Sequence, residues 1–253
     1  MMERKELNLD KIKEVRRGFE IPSAANSVVL LCHGIGGNAA GLYPLAEFLH
    51  AKTNFAVRGI CLPGHAETPE SLERTTAEDW EKAIVDAYQE EKKRYDHIYY
   101  CGVSLGSLLG LTLADNNKLD GLVLVSCPIL YRHPFDLFAK PLSHFGLYHY
   151  WKPMGLDPER AALLCYEKIP FKSIVEMSVV QHEAQQGLSL ISCPTLVLYG
   201  KKDRFVSPKG TALLKKHLPI PLKVRTYADS GHGLLFGSDE AEVFEDIALF
   251  LTH

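Results

Sequence analysis

The run Gly102-Val103-Ser104-Leu105-Gly106 sets a hydroxyl between two glycines, where a chain can turn sharply out of a strand and present that hydroxyl as a nucleophile. A serine hydroxyl is a poor nucleophile unless a base takes its proton and an acid holds that base. Two later segments supply the candidates. An apolar run ends at Gly200-Lys201-Lys202-Asp203, and the next ends at Asp229-Ser230-Gly231-His232-Gly233. In the order serine, acid, histidine, Asp203 is the acid and His232 the base. Asp229 is the rival acid; only three residues before His232, it reads as a cap on its own turn. The charge of a tetrahedral intermediate needs donors, and two backbone N–H groups are placed to give them. One is Leu105, which follows the nucleophile at a helix start; the other is Ile35, in the glycine-rich stretch His33-Gly34-Ile35-Gly36-Gly37. His33 and His65 read as structural. That stretch lacks the G-x-G-x-x-G spacing of a dinucleotide site.

These residues need a frame that brings distant loops to one edge. Apolar runs at 28–32, 55–61, 97–101, 122–126, 195–199 and 223–227 read as strands. Helical spacing follows several of them: Leu42, Leu45, Ala46 and Leu49; then 76–94, with Trp80, Ile84, Ala87 and Tyr88 as its apolar stripe and Thr75 with Glu78 as a capping box; then 105–114, 208–217 and 238–251. Strands alternating with helices predict a mostly parallel sheet covered on both faces, whose strand C-terminal ends share one edge. The alternation stops at 128–192, which reads as a small helical cap without a clear strand. Helices are expected there after Asp157-Pro158 and after Pro170. The sheet-forming core is then 1–127 with 193–253.

Seven aromatic residues fall in the 21 positions 131–151, where the chain average of 9% would give about two. Phe138 and Phe145, with Tyr131, Phe135, Tyr148, Tyr150 and Trp151, either wall an acyl or alcohol pocket under the cap or make the cap's own core.

HG-x-G-G, then Leu62-Pro63-Gly64-His65, then GVSLG, an aspartate turn and Ser230-Gly231-His232 together resemble the serine α/β-hydrolases. Within them, the compact size and single cap resemble the bacterial carboxylesterase and monoacylglycerol lipase group. The resemblance spans nearly the whole chain and is weakest in the cap. Ser107 departs from it, standing where the group often has another glycine. It implies an α/β-hydrolase fold and hydrolysis of short- to medium-chain acyl esters or monoacylglycerols through an acyl-enzyme, without a cofactor. Ser104 would be nucleophile, Asp203 acid, His232 base, and Ile35 and Leu105 the oxyanion donors. The fold also carries thioesterases and peptidases, and a catalytically silent binding protein is the remaining alternative.

Composition narrows the setting. The 253 residues carry a net charge of −3, with 46% hydrophobic residues. No basic excess points to nucleic acid and no apolar run is long enough to span a bilayer, so the expected partner is a small-molecule ester. Six cysteines stand singly, with no CxxC pair for zinc, and the N-terminus has no apolar segment after its charges. A reduced, cytoplasmic setting is expected. Oligomeric state is not encoded in any feature of the sequence.

Overall fold

The computed structural model describes residues 8–133, 135–150 and 158–252, and for 135–138 the backbone only. In chain order the elements are α1 (Leu9–Val15), β1 (Phe19–Ile21), β2 (Ser27–Cys32), α2 (Tyr43–Thr53), β3 (Ala56–Ile60), α3 (Pro69–Glu73), α4 (Ala77–Glu91), β4 (His97–Val103), α5 (Leu105–Asn116) and β5 (Gly121–Val125). There follow α6 (Phe135–Ser143), β6 (Tyr148–Tyr150), α7 (Pro158–Leu164), β7 (Lys168–Pro170), α8 (Phe171–Gly187), β8 (Thr195–Gly200), α9 (Lys209–His217), β9 (Leu222–Tyr227) and α10 (Glu240–Leu251).

The main sheet runs β1-β3-β2-β4-β5-β8-β9. Every pair is parallel except β1 with β3, where Phe19 lies opposite Gly59. The predicted class therefore holds, with an antiparallel edge strand added. β2, β4, β5 and β8 are apolar without alternation because both faces of a parallel sheet are covered. Val28, Leu30 and Cys32 join Trp80, Leu105, Leu108 and Val180 on one face; Val29 and Leu31 join Leu45, Leu49, Phe244 and Ile247 on the other. No helix among the described residues is long and apolar enough to cross a membrane.

Three local expectations need correction. The capping box of α4 is built by Thr76 and Asp79, not Thr75 and Glu78: Asp79 N–H donates to Thr76 Oγ1 at 3.3 Å and Thr76 N–H to Asp79 Oδ2 at 2.9 Å. The Thr75 hydroxyl instead donates to Leu72 C=O at 2.8 Å, ending the short helix before it. Second, the 128–192 stretch does contain strands. β6 and β7 pair only with each other, antiparallel, Tyr148 opposite Pro170. At three residues each, they are too short to show a period of two. Third, α6 was not expected; it carries Pro141 inside its last turn, a residue that argues against helix in a sequence reading. The two anticipated helices form, but α8 packs on α4 and α5 rather than on the cap alone, and its Ile174, Met177, Val180 and Ala184 join the cluster beneath the sheet.

Candidate active site

β4 delivers Ser104. At the end of that strand Ser104 N–H still donates to Val125 C=O at 2.9 Å, and one residue later α5 begins. The turn between them forces Ser104 to φ 52, ψ −113, a region that costs a non-glycine residue about 1–3 kcal/mol. Its neighbours must be small. A Cβ on Gly102 would lie 2.1 Å from Gly106 C=O, and one on Gly106 would lie 2.4 Å from Cys32 C=O. Ser107, the departure from the resemblance, is fully buried and donates to Gly102 C=O at 2.6 Å, so its hydroxyl ties the turn together. Although Ser104 stands at the N-cap position, its side chain caps nothing on α5.

The hydroxyl goes elsewhere. Ser104 Oγ lies 3.0 Å from His232 Nε2, and His232 Nδ1 lies 2.8 Å from Asp203 Oδ2. An ionised carboxylate only accepts, so Nδ1 carries the ring proton and Nε2 offers its lone pair to the serine O–H. Asp203 is 4% exposed. Burial pushes its carboxyl up, but the hydrogen bond and charge of His232, with the N–H groups of Phe205 at 2.8 Å and Val206 at 3.0 Å, outweigh burial and hold it below the usual carboxylate range. The acid turn and histidine loop meet backbone to backbone, since a Cβ on Gly200 would lie 2.3 Å from Gly231 C=O. Asp229, the rival, neither reaches His232 nor caps its turn. It is exposed and bonds Lys202 Nζ at 2.9 Å.

The glycine-rich loop closes the other side. A Cβ on Gly34 would lie 3.1 Å from Ser104 Cβ, so that loop lies directly against the serine. Gly37 N–H donates to Gly34 C=O at 3.1 Å across a tight turn whose third residue, Gly36, has φ +71. The N–H groups of Ile35, in this turn, and of Leu105, at the first position of α5, donate to no carbonyl of the described chain. Leu105 directly follows Ser104 in the chain, and Ile35 directly follows Gly34, the residue that lies against Ser104. His33 and His65 are buried and structural. His33 Nδ1 donates to Gly34 C=O at 2.8 Å while its Nε2 accepts from Leu62 N–H at 3.1 Å, and burial holds its imidazole down to about 4, hence neutral.

The sequence reading missed two residues. Ser126, at the end of β5 with φ 50, is fully buried and donates to His232 C=O at 2.8 Å, fixing the histidine loop from a neighbouring strand. Phe205 meets His232 edge-on at 5.4 Å between ring centroids and is 48% exposed. Nothing in its spacing marks it. The cap aromatics divide. Tyr131 packs on the buried cluster, Phe145 is 75% exposed and Tyr150 is 73% exposed. Phe145 is therefore no part of a buried cap core. The side chain of Phe138 and all of Trp151 lie outside the described residues. Among the described residues no group of three or more His, Cys, Asp or Glu side chains converges as a metal site.

A mostly parallel sheet whose strand ends carry an elbow serine, a histidine loop and an acid turn, hydrogen-bonded in that order, defines an α/β-hydrolase. The family model described as serine aminopeptidase, S33, matches residues 23–239, and the chain belongs to that family. A carboxylesterase of Bacillus subtilis (strain 168) is 26% identical over 230 residues, covering 89% of this chain and 92% of its own. A thermostable monoacylglycerol lipase of Bacillus sp. (strain H-257) is 31% identical over 193 residues, 74% of each chain. The solved structure of a monoacylglycerol lipase from Paleococcus ferrophilus superposes with a TM-score of 0.76 at 23% identity, covering 94% of this chain and 98% of that one.

Proposed function

We propose that this enzyme hydrolyses carboxylic esters of short- to medium-chain acids, monoacylglycerols among them, through an acyl-enzyme on Ser104. The observation that carries the reading is the continuous line from Ser104 Oγ through His232 to the buried Asp203, at 3.0 and 2.8 Å. In the first half-reaction the Ser104 proton passes to His232 Nε2 as Oγ bonds the ester carbonyl carbon. The oxyanion so formed accepts from the N–H groups of Ile35 and Leu105. Collapse breaks the bond to the alcohol, which leaves with the proton from His232. In the second half-reaction His232 takes a proton from water, the hydroxide bonds the acyl carbon, and Ser104 departs with that proton as the acid is released. Asp203 orients and stabilises the imidazolium throughout. The names of the two Bacillus relatives support the ester and monoacylglycerol substrates.

The family's description favours a second reading, aminopeptidase activity, which uses the same residues on an amide. Ser104→Ala tests the shared chemistry. Turnover of p-nitrophenyl butyrate is expected to fall about 10⁵- to 10⁶-fold with the circular dichroism spectrum unchanged. Fluorophosphonate labelling should vanish with it. A folded Ser104→Ala protein with wild-type turnover overturns the mechanism. Comparing kcat/KM for monoacylglycerols with that for aminoacyl p-nitroanilides then separates the two substrate classes, and preference for the anilides would displace the ester reading.

A further inference from the structure

Between α7 and β7 the chain passes directly over the turn that carries Ile35. Tyr166 N–H donates to Gly36 C=O at 2.8 Å, and Asn38 Nδ2 donates to Leu163 C=O at 2.8 Å. Ile169 presses on the same turn so closely that a Cβ on Gly36 would lie 2.2 Å from its Cδ1. The Tyr166 side chain anchors this passage to a third loop. Its hydroxyl donates to Gly64 C=O at 2.9 Å and accepts from Glu67 N–H at 2.8 Å, and its ring stacks on His65 at 6.4 Å with 10° between planes.

Peptide geometry turns these contacts into an aiming device. In a trans peptide the C=O and N–H point in opposite directions, so fixing one fixes the other. Tyr166 holds the carbonyl of the Gly36–Gly37 peptide. The N–H of that peptide donates to Gly34 C=O at 3.1 Å, and His33 Nδ1 donates to the same oxygen at 2.8 Å. Fixing the Gly34 carbonyl fixes the Gly34–Ile35 peptide, whose N–H is Ile35's and whose first residue, Gly34, lies against Ser104. Two peptide planes therefore lead from the cap to the oxyanion donor.

We propose that Tyr166 is a positioning residue: by anchoring the 163–169 segment on the 34–37 turn, it sets the direction of the Ile35 N–H, and the cap thereby takes part in stabilising the transition state. Ile169 acts in the same way by packing. This rests on the reading that Ser104 is the nucleophile. Removing an oxyanion donor outright costs about 10²- to 10³-fold in kcat. Loosening its aim costs less.

The test measures kcat and KM for p-nitrophenyl butyrate and the inhibition constant of an alkyl trifluoromethyl ketone of matching chain length. Ser104 Oγ adds to the carbonyl carbon of that ketone, its proton passes to His232 Nε2, and the resulting oxyanion sits where the intermediate's would. Tyr166→Phe removes the hydroxyl, with its contacts to Gly64 and Glu67, and keeps the ring that stacks on His65. It is expected to lower kcat about tenfold, leave KM within twofold, and weaken the ketone by the same factor as kcat/KM. Ile169→Ala should follow the same line and Ile169→Val should recover most of the loss. A Tyr166→Phe protein that melts earlier but keeps kcat and ketone affinity within twofold overturns the inference, as does a rise in KM at constant kcat. If Tyr166→Phe does not fold, Ile169→Ala is judged by the same criteria. Ser104→Ala serves as the control. If it keeps turnover the mechanism itself fails; if it is inactive while Tyr166→Phe and Ile169→Ala are normal, only the positioning role fails.

Discussion

Two regions hold side chains over the same edge of the sheet by different physical means. Along the strand ends, backbones approach until side chains are refused: a Cβ would come within 2.1 Å of Gly106 C=O at Gly102, 2.4 Å of Cys32 C=O at Gly106 and 2.3 Å of Gly231 C=O at Gly200. Residue identity there is dictated by space. The 128–170 stretch is attached largely through main-chain groups, with Arg132 N–H on Phe205 C=O at 2.8 Å, Ser207 N–H on Leu130 C=O at 2.9 Å and Tyr166 N–H on Gly36 C=O at 2.8 Å, the Tyr166 hydroxyl and the Ile169 side chain being exceptions. Main-chain attachment makes almost no demand on residue type. The first region prints a motif into the sequence, and the second leaves it nearly blank.

The largest expected effect tests the first region. Asp203→Asn should lower kcat about 10⁴-fold, because the amide cannot hold the tautomer that leaves Nε2 free. Asp229→Asn should change it less than twofold, since that carboxylate meets only the exposed Lys202. Steady-state kinetics on the two variants decides, and the reverse order of effects would move the acid to Asp229.

A smaller effect lies at the seam where α8 returns to the sheet. Burial, then the neighbouring carboxylate of Glu183 and that of Asp115, push Glu81 up to about 8. The folded state thus holds a proton that the unfolded chain has already lost above about pH 4.3. Stability should fall as pH rises from about 4.5 to 8, the sign expected when the folded state binds more protons. Urea midpoints measured across that range should decline in the wild type and flatten in Glu81→Gln. A parallel decline in both would show that another group carries the dependence.

The smallest effect belongs to the cap surface. Phe145→Ala should alter kcat/KM for p-nitrophenyl esters from acetate to palmitate by less than twofold, and stability by about 0.5 kcal/mol or less, because Phe145 is 75% exposed. A shifted chain-length optimum would break the comparison by showing that Phe145 meets the acyl chain.

Legibility follows the same division. Ser104, Asp203 and His232 could be found from the sequence because strained turns and close backbones demand glycine and serine around them. The strands β2, β4, β5 and β8 could be found because burial on both faces leaves most of their positions apolar. β6 and β7 could not, being three residues each and paired only together. Ser126 was overlooked because its contact runs to a carbonyl 106 residues away, a distance at which no local spacing informs. The misplaced capping box came from a tie that only geometry breaks: Thr75 and Thr76 are chemically equal, and the hydroxyl of the first is already engaged with Leu72.

Ser104 stands at φ 52 in a turn that would relax with glycine in its place. The wild-type residue is therefore not the most stable occupant of its own position. On the mechanism proposed above, glycine at this site would give a sturdier but inert protein. A chain of this kind that has lost its reaction should show the loss first as a glycine or another left-handed-tolerant residue at 104, with the rest of the edge intact and the molecule harder to unfold than its working ancestor.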